Sequence, residues 1–269
     1  MTLRVAFLSR AAQQGSIYLD VCEELEAMRV ETQTIVVDDA MFRMSDLEID
    51  ADLYVLRTRS IAGFSAAAAL SLAGARFLVP IERERVIRNR FLVQQTLIAS
   101  NIPAPRAYIA ANAAALAAIL RDRGPLVIKP FEVSAPKSAI VVRHENDLPR
   151  DMRGPLFAQE LVPHTTADIK LYGIGSGVYA IRRNFPARTR EEKLGEAIIP
   201  CPDMIEIAVR CRKAFGLDLF GVDLIESPDG LMVVDVNSTP GYKGVHDAAH
   251  LIAELLYDEV FVEPAMEAV

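Results

Sequence analysis

The chain has 269 residues, of which 51% are hydrophobic and 24% charged, and this composition indicates a globular protein with a large core. Its net charge of −7 argues against a nucleic-acid partner, which would need a basic surface, and three scattered cysteines are too few for a disulfide framework. No apolar run approaches the length of a membrane span, and Arg4 interrupts the short apolar opening, so we expect a cytoplasmic protein with no membrane partner.

Strand and helix patterns alternate over the first eighty residues. The sequence predicts strands at residues 3–8, 33–37, 53–56 and 76–79, and helices at residues 16–28 and 61–73. Such alternation is typical of a small parallel sheet covered by helices. Ligands of these sheets bind beyond the carboxyl ends of the strands. At that position Arg57 and Arg59 could bind an anionic substrate; the alternative is a solvated loop with surface arginines.

The middle of the chain begins with a long helical pattern. It covers residues 83–100 and stops at the proline-containing segment 101–105. A second helix is predicted at residues 112–123, and strands are predicted at residues 126–129, 140–143, 155–161, 167–174 and 178–183. Three glycines at positions 173, 175 and 177 do not form a dinucleotide-binding motif, because strands lie on both sides of them.

The charged segment 184–199 is interpreted as a mobile loop near a site or as a plain surface excursion. A helix follows from Pro202 to residue 214 and ends at Gly216. The closing helix, residues 245–260, carries His246 and His250 at a spacing that zinc ligands use. A third ligand and the glutamate of the zinc motif are missing, so zinc is not predicted.

Between these two helices lies a predicted hairpin, with strands at residues 219–226 and 231–237. Turn-forming residues at positions 227–230, Ser-Pro-Asp-Gly, join the strands. Asp223 lies on the first strand, and Asp235 and Asn237 on the second.

Because side chains alternate along a strand, Asp235 and Asn237 should point to one face, and Val234 and Val236 to the other. The hairpin then brings Asp223, Asp235 and Asn237 together. Such hard oxygen donors bind Mg²⁺ or Mn²⁺, usually with substrate phosphates as further ligands. The plain alternative is a hairpin whose carboxylates merely face solvent.

The segments VDLI, residues 222–225, and VDVNSTPG, residues 234–241, closely resemble the last metal-binding strands of ATP-grasp enzymes. Other motifs similar to that family occur in its order: VIKP at 127–130, QELV at 159–162 and DIK at 168–170. The resemblance covers roughly residues 53–260, and its nearest ligase pattern is that of the ribosomal-protein glutamate ligases, the RimK type.

This resemblance implies an α/β and α+β protein with the ATP-grasp fold. A small Rossmann-like, pre-ATP-grasp domain would occupy residues 1–80, and the ATP-grasp domain residues 81–269. The second domain would consist of one lobe around residues 106–162 and a C-terminal lobe at residues 163–260.

The resemblance also implies roles for charged side chains. Lys129 and Arg90, which stands where the family has a lysine, would contact the ATP phosphates. Asp168 and Lys170 would lie at the nucleotide, with Lys170 facing the phosphates as a catalytic residue. Arg182 is chosen over Arg183 as the catalytic contact to the transferred phosphate, since neighbours on a strand cannot both face one site.

Two further segments complete the implied nucleotide site. The adenine-binding hinge would comprise Gln159, Glu160, Leu161 and Val162. Where the family has a glycine-rich flap over the phosphates, residues 131–138 contain no glycine. Ser134, Lys137 and Ser138 are the candidates that would replace main-chain contacts with side-chain ones, and whether this flap permits efficient turnover is left open.

The implied activity is an ATP- and Mg²⁺- (or Mn²⁺-) dependent carboxylate–amine ligation through an acyl phosphate. The partners would be ATP, a small carboxylate or peptide, and an amine. Two alternatives stay open: a kinase for a hydroxyl of a polyol phosphate, to which PGYKGV at 240–245 is also similar, and a nucleotide-binding module without turnover. The sequence determines neither the substrates nor the oligomeric state, with a homo-oligomer among the options.

Overall fold

The computed structural model of the chain describes residues 2–10, 16–37, 40–43, 47–129, 139–148, 155–163, 167–184, 189, 192 and 194–261. The strands are Arg4–Ser9 (β1), Glu31–Val36 (β2), Leu53–Leu56 (β3), Ala107–Ala110 (β4), Leu126–Lys129 (β5), Ile140–Val142 (β6), Leu156–Glu160 (β7), Ala167–Ile174 (β8), Gly177–Asn184 (β9), Glu196–Ile198 (β10), Leu219–Ser227 (β11) and Gly230–Asn237 (β12). The α-helices are Ile17–Ala27 (α1), Ile61–Leu72 (α2), Ile81–Arg88 (α3), Arg90–Ala99 (α4), Ala113–Arg123 (α5), Pro202–Phe215 (α6) and Ala248–Phe261 (α7).

The first sheet is parallel and has the strand order β2-β1-β3. Strand β1 is apolar along most of its length because both of its faces are covered. Val5 and Phe7 pack toward α1 and α7, whereas Ala6 and Leu8 pack toward α2. The strand predicted at residues 76–79 is reduced to a single bridge between Tyr54 and Phe77.

The prediction of one long helix over residues 83–100 is wrong, because the helix breaks at Asn89. This residue has an extended backbone (φ −109°, ψ 107°) and ends α3. Its side-chain oxygen then accepts hydrogen bonds from the amides of Phe91 and Leu92 and so caps α4. The break sets a new helix direction directly before Arg90.

The second sheet is antiparallel, with the strand order β4-β7-β5-β6. Helix α5 covers it: Leu116 and Leu120 pack with Leu126, Ile128 and other buried side chains of the sheet. This packing leaves Lys129 at the end of the central strand β5, which is paired on both sides.

The third sheet is also antiparallel, in the order β10-β9-β8-β11-β12. Its edge strand β10 lies within the segment 184–199, which was predicted to be a loop. In this strand Ala197 pairs with Ile181 of β9. Helix α6 packs on one face through Ile207, Ala208 and Phe215, which contact the core that also contains Val222. Gly216 ends this helix in the left-handed conformation (φ 63°).

Helix α7 links the third sheet to the first. Ile252 and Leu256 lie in one buried cluster with Val5 of β1, Val21 of α1 and Leu219 of β11. The closing helix therefore also covers the N-terminal sheet, although the sequence assigned it to the C-terminal lobe. None of the described helices combines the length and apolarity that crossing a membrane requires.

Candidate functional site

Two carboxylates meet on one face of the third sheet. Asp223 of β11 and Asp235 of β12 are direct cross-strand neighbours, and Asn237 lies opposite Gly221 in the same register. A side chain at Gly221 would press on Pro240, because a Cβ built there lies 3.0 Å from the proline Cβ. The structure thus brings together the three oxygen donors that the sequence singled out.

Each carboxylate is paired with a cation from a different element. Lys170 Nζ of β8 lies 2.8 Å from Asp223 Oδ1, directly across the strand pair. Arg90 Nη1, in the first turn of α4, lies 3.0 Å from Asp235 Oδ1. The two cations therefore contact the same carboxylates that would bind a metal.

A third cation on this face is Arg183, not Arg182. Arg183 lies opposite Asp168, donates to its Oδ2 over 2.6 Å, and lies 3.9 Å from Asp223 Oδ1. Arg182 lies on the other face of β9, where it forms two hydrogen bonds with Glu226 at 3.0 and 3.1 Å. The choice of Arg182 as the residue facing the acids is therefore wrong; alternation along β9 selects its neighbour.

Lys129 reaches this face from the second sheet. Its Nζ donates to the main-chain oxygen of Val234 at 2.6 Å and to Gln159 Oε1 at 2.7 Å. Strand β12 has a bulge here: Asp223 pairs with Asp235, but Leu224 already pairs with Val233, so Val234 has no cross-strand partner. The bulge leaves the Val234 carbonyl to Lys129.

The bulge also corrects the predicted alternation of β12. Val234 is only half-buried, while Val233 and Val236 are buried in the core. One extra residue in the strand shifts the side-chain pattern by one position, so Val233 takes the core position that was predicted for Val234.

The pKa of Lys129 is lowered to about 8, mainly by burial; the carboxylates of Asp235 and Asp223 raise it, and the positive charge of Arg90 lowers it. At neutral pH the amine still carries a proton for most of the time. Because this charge is buried, water screens it less than it screens an exposed lysine. An anion that reaches Lys129 is therefore attracted more strongly.

Gln94 is a site residue that sequence reasoning missed. It is buried on α4, donates to the Pro105 carbonyl over 2.9 Å, and accepts from Gln159 Nε2 over 3.1 Å. Gln159 in turn holds Lys129. The available signal was the helical spacing, since Gln94 lies one residue after Val93 and three before Leu97 on the buried side of α4.

The predicted adenine-binding hinge starts at this glutamine. The side chain of Gln159 is buried beneath Lys129. The amides of the next two residues bond within the protein, Glu160 to Arg106 O at 2.9 Å and Leu161 to Pro125 O at 2.8 Å. The Glu160 carboxylate accepts from the Tyr108 hydroxyl over 2.6 Å.

The flap candidates Ser134, Lys137 and Ser138 lie outside the described residues. Val162, the last hinge residue, is described and lies two residues after the end of β7. For all of these residues, contact with a nucleotide remains a prediction.

The chemistry of the donor set fits a hard divalent cation. Asp223, Asp235 and Asn237 supply two carboxylates and one amide oxygen; the Asn237 oxygen also accepts from Thr239 N over 3.2 Å. Mg²⁺ and Mn²⁺ accept such sparse protein ligation, because water and phosphate oxygens complete their coordination. His250, considered above for zinc, instead lies 3.0 Å from Glu24, and no group of three or more His, Cys, Asp or Glu with metal-binding geometry occurs in the described ranges.

This architecture recurs in solved structures. A crystal structure of a RimK-domain ATP-grasp protein from Sphaerobacter thermophilus superposes with a TM-score of 0.78 at 21% identity, and the match covers 94% of this chain and 99% of that one. At this identity the similarity establishes the fold alone, and it confirms the ATP-grasp fold expected from the sequence.

Sequence relatives include two proteins named probable alpha-L-glutamate ligase. The one from Haemophilus influenzae is 29% identical over 185 residues, which cover 61% of this chain and 62% of the relative. The one from Haemophilus ducreyi is 32% identical over 189 residues, 65% of this chain and 62% of the relative. The chain thus spans about three fifths of the length of these relatives.

The family model that matches is the RimK-like ATP-grasp domain, over residues 87–257. This range contains the whole constellation described above, from Arg90 through Lys129 and Lys170 to Asn237. Because the match also extends over more than half of the sequence, the chain belongs to the RimK-like ATP-grasp family.

Proposed function

We propose that the protein is an ATP-dependent carboxylate–amine ligase. The observation that carries this proposal is that the second and third sheets meet at the face of the third sheet that carries Asp223 and Asp235, called here the charged face. Lys129 of the second sheet donates a hydrogen bond to the main-chain oxygen of Val234, the residue before Asp235. Arg90 and Lys170 reach the same carboxylates. Cations from three elements beside a pair of acids form a site for metal-bound phosphates.

In this proposal each side chain binds or orients. Lys129 and Arg90 would contact the nucleotide phosphates, and Asp223, Asp235 and Asn237 would hold Mg²⁺ or Mn²⁺, which when bound neutralises phosphate charge. Lys170 would leave Asp223 for a phosphate oxygen. Arg183, beside Asp168, would stabilise the charge that develops during transfer.

The reaction has two steps. A substrate carboxylate oxygen attacks the γ-phosphorus, the bond to the β-phosphate oxygen breaks, and ADP leaves. An amine then attacks the carbonyl carbon of the acyl phosphate, the carbon–oxygen bond to phosphate breaks, and the amine proton passes to solvent. No side-chain nucleophile is needed, because the protein acts by positioning and by neutralising charge.

The names of the relatives suggest which substrates to try first. Both relatives above are called glutamate ligases, so glutamate and short peptides are the first carboxylates and amines to supply. The same assay should include inositol phosphates, because a hydroxyl acceptor would identify a kinase.

Hydroxylamine trapping tests the proposal. With ATP, Mg²⁺ and the substrate carboxylate, hydroxylamine should convert the acyl phosphate to a hydroxamate, and one ADP should appear per hydroxamate. Asp235→Asn should abolish both products while Arg182→Gln, on the opposite face, retains them. ADP release without hydroxamate or amide from any carboxylate, or phosphorylation of a hydroxyl, would refute ligation.

A further inference from the structure

Arg57 lies apart from the charged face, at the carboxyl end of the parallel sheet. It directly follows β3, and its amide donates to Leu8 O of β1 over 2.7 Å. The central carbon of its guanidinium lies over the ring of Tyr18, 3.2 Å from the ring centroid. Backbone and ring together fix the position of this cation.

No carboxylate pairs with Arg57 in the described part of the chain. There its Nη1 donates to Ser16 Oγ at 3.3 Å, the Tyr18 side chain supplies a further polar interaction, and its Nε is buried without a hydrogen-bond partner. By contrast, Arg76 pairs with Glu259 at 3.1 Å. A half-buried guanidinium with a buried, unpaired Nε is costly, because its desolvation is not offset by a counter-ion.

The surroundings of Arg57 form a small concave pocket. Phe7 and Leu19 provide apolar walls, and the hydroxyls of Ser9 and Ser16 provide polar groups. Tyr18, which also lines the pocket, is buried, and its hydroxyl has no hydrogen bond of good geometry to the residues that the structure describes. Burial lowers the pKa of Arg57, and the side chains of Tyr18, Cys22 and Tyr242 raise it. A planar guanidinium fork can hold a carboxylate or a phosphate through two parallel hydrogen bonds. The single positive charge of Arg57 balances one carboxylate, whereas a phosphate dianion would keep one negative charge unbalanced.

We infer that this pocket binds the free carboxylate of an amino-acid-like substrate, through the guanidinium of Arg57. That this ligand is a substrate rests on the proposed ligase function. This carboxylate would not be the one that is activated, because buried tyrosines lie between the pocket and the face that carries Asp223 and Asp235. Tyr18 and Tyr242 share one buried cluster, and Tyr242 packs on Tyr172 at 5.2 Å between centroids.

The test is an NMR titration of the full chain without nucleotide or metal. The Nε–H signal of Arg57 is identified as the one that disappears from the spectrum of Arg57→Lys. The ligands added are acetate, L-glutamate, the α-amide of glutamate, and inorganic phosphate. Acetate and L-glutamate should shift the signal saturably, and blocking the α-carboxylate should weaken binding of glutamate. Arg76→Gln is the matched control, since it removes an arginine that already has a carboxylate partner, and it should bind as the wild type does.

Kinetics provide the second readout. Arg57→Gln should raise the KM of the amino-acid substrate about ten- to hundredfold and leave the KM of ATP unchanged, with Arg57→Lys in between. Absence of a saturable shift with any carboxylate, or tighter binding of phosphate than of carboxylates, overturns the inference.

The two hypotheses can fail separately, because the titration needs no turnover. If carboxylates bind but no hydroxamate or amide forms, the ligase proposal fails and the binding site remains. If ligation proceeds while Arg57→Gln binds and reacts as the wild type does, only the pocket is refuted.

Discussion

Gln159 donates from its side-chain amide to Gln94 Oε1 over 3.1 Å, and both side chains are buried. Pro105 O accepts from Gln94, so the Gln94 oxygen must face Gln159, and the Gln159 oxygen must face Lys129. One main-chain carbonyl thereby sets the orientation of two amides. This chain of hydrogen bonds joins α4 and β7 to the lysine that lies against the third sheet.

Replacing Gln94 should therefore impair nucleotide binding without touching the nucleotide. Gln94→Met keeps the volume but leaves Pro105 O and Gln159 Nε2 unpaired, so we expect a loss of about 1–3 kcal/mol in unfolding free energy. The affinity for ATP should also fall, because Gln159 is no longer held in the position from which its oxygen accepts from Lys129. Calorimetric titration with ATP and denaturant unfolding measure the two effects.

The exposed neighbour Gln95 offers the control, since Gln95→Met makes the same chemical change on the same helix. Equal ATP affinities for the Gln94 and Gln95 variants would show that Lys129 does not depend on the two glutamines.

The sequence predicted the fold well wherever hydrophobic period and turn chemistry were strong. The hairpin with Asp223 and Asp235 is an example, because its turn ends at Gly230 with a positive φ of 106° as the Ser-Pro-Asp-Gly pattern requires. The turn sets the register beside it, with Ser227 opposite Gly230, and the bulge at Val234 then places Asp223 opposite Asp235. The order of the motifs along the chain, from VIKP at 127–130 to VDVNSTPG at 234–241, then indicated the family.

Features decided by tertiary contact could not be read from the sequence. The bulge at Val234 follows no local sequence signal, yet it provides the carbonyl that holds Lys129. The break at Asn89 depends on a cap that competes with a continuous helical pattern. The choice between Arg182 and Arg183 depended on strand phase, which a shift of one residue reverses.

Lys129 gives a prediction about pH. Its pKa in the free protein is about 8, and phosphates that bind beside it should raise that value. Between the two values the complex holds more protons than the free protein, so ATP binding should take up protons, approaching about one near pH 9. At pH 7 the lysine is already about nine-tenths protonated in the free protein, so its uptake falls to about 0.1 proton and vanishes at lower pH.

Calorimetry in buffers of different ionisation enthalpy measures this proton count, and Lys129→Gln isolates the contribution of the lysine from that of ATP itself. The variant should lose the uptake at pH 9 and bind ATP more weakly at pH 7. An identical proton count in the wild type and the variant would place the lysine away from the phosphates.

Arg183 and Arg182 form a matched pair on one strand. Arg183 faces Asp168 and Asp223, whereas Arg182 pairs with Glu226 on the other face. If Arg183 stabilises the transferred phosphoryl group, Arg183→Gln should lower kcat about a hundredfold or more. Arg182→Gln should leave kcat nearly unchanged, because its contacts lie across the sheet.

Single-turnover measurements of hydroxamate formation separate this effect from substrate binding. Arg183→Lys, which keeps a charge beside Asp168, guards against a loss of folding and should recover part of the rate. A larger loss from Arg182→Gln than from Arg183→Gln would reverse the assignment.

Arg90 leads to the last prediction, which concerns metal binding without nucleotide. In the structure its guanidinium lies 3.0 Å from Asp235 Oδ1, so a cation at that carboxylate must compete with the arginine. Arg90→Gln should then tighten binding of Mn²⁺ alone by about fivefold, the value of an ion pair of about 1 kcal/mol. The same change should weaken binding of ATP. In the wild type, Arg90 would move to the phosphates once a metal ion replaces it at Asp235.

Electron paramagnetic resonance of free Mn²⁺ measures the binding of the metal ion, and calorimetry measures the binding of ATP. As a control, Arg182→Gln breaks a comparable ion pair on the opposite face and should change neither the Mn²⁺ affinity nor the ATP affinity. Weaker Mn²⁺ binding in Arg90→Gln would contradict the prediction and mean that the arginine supports the metal site.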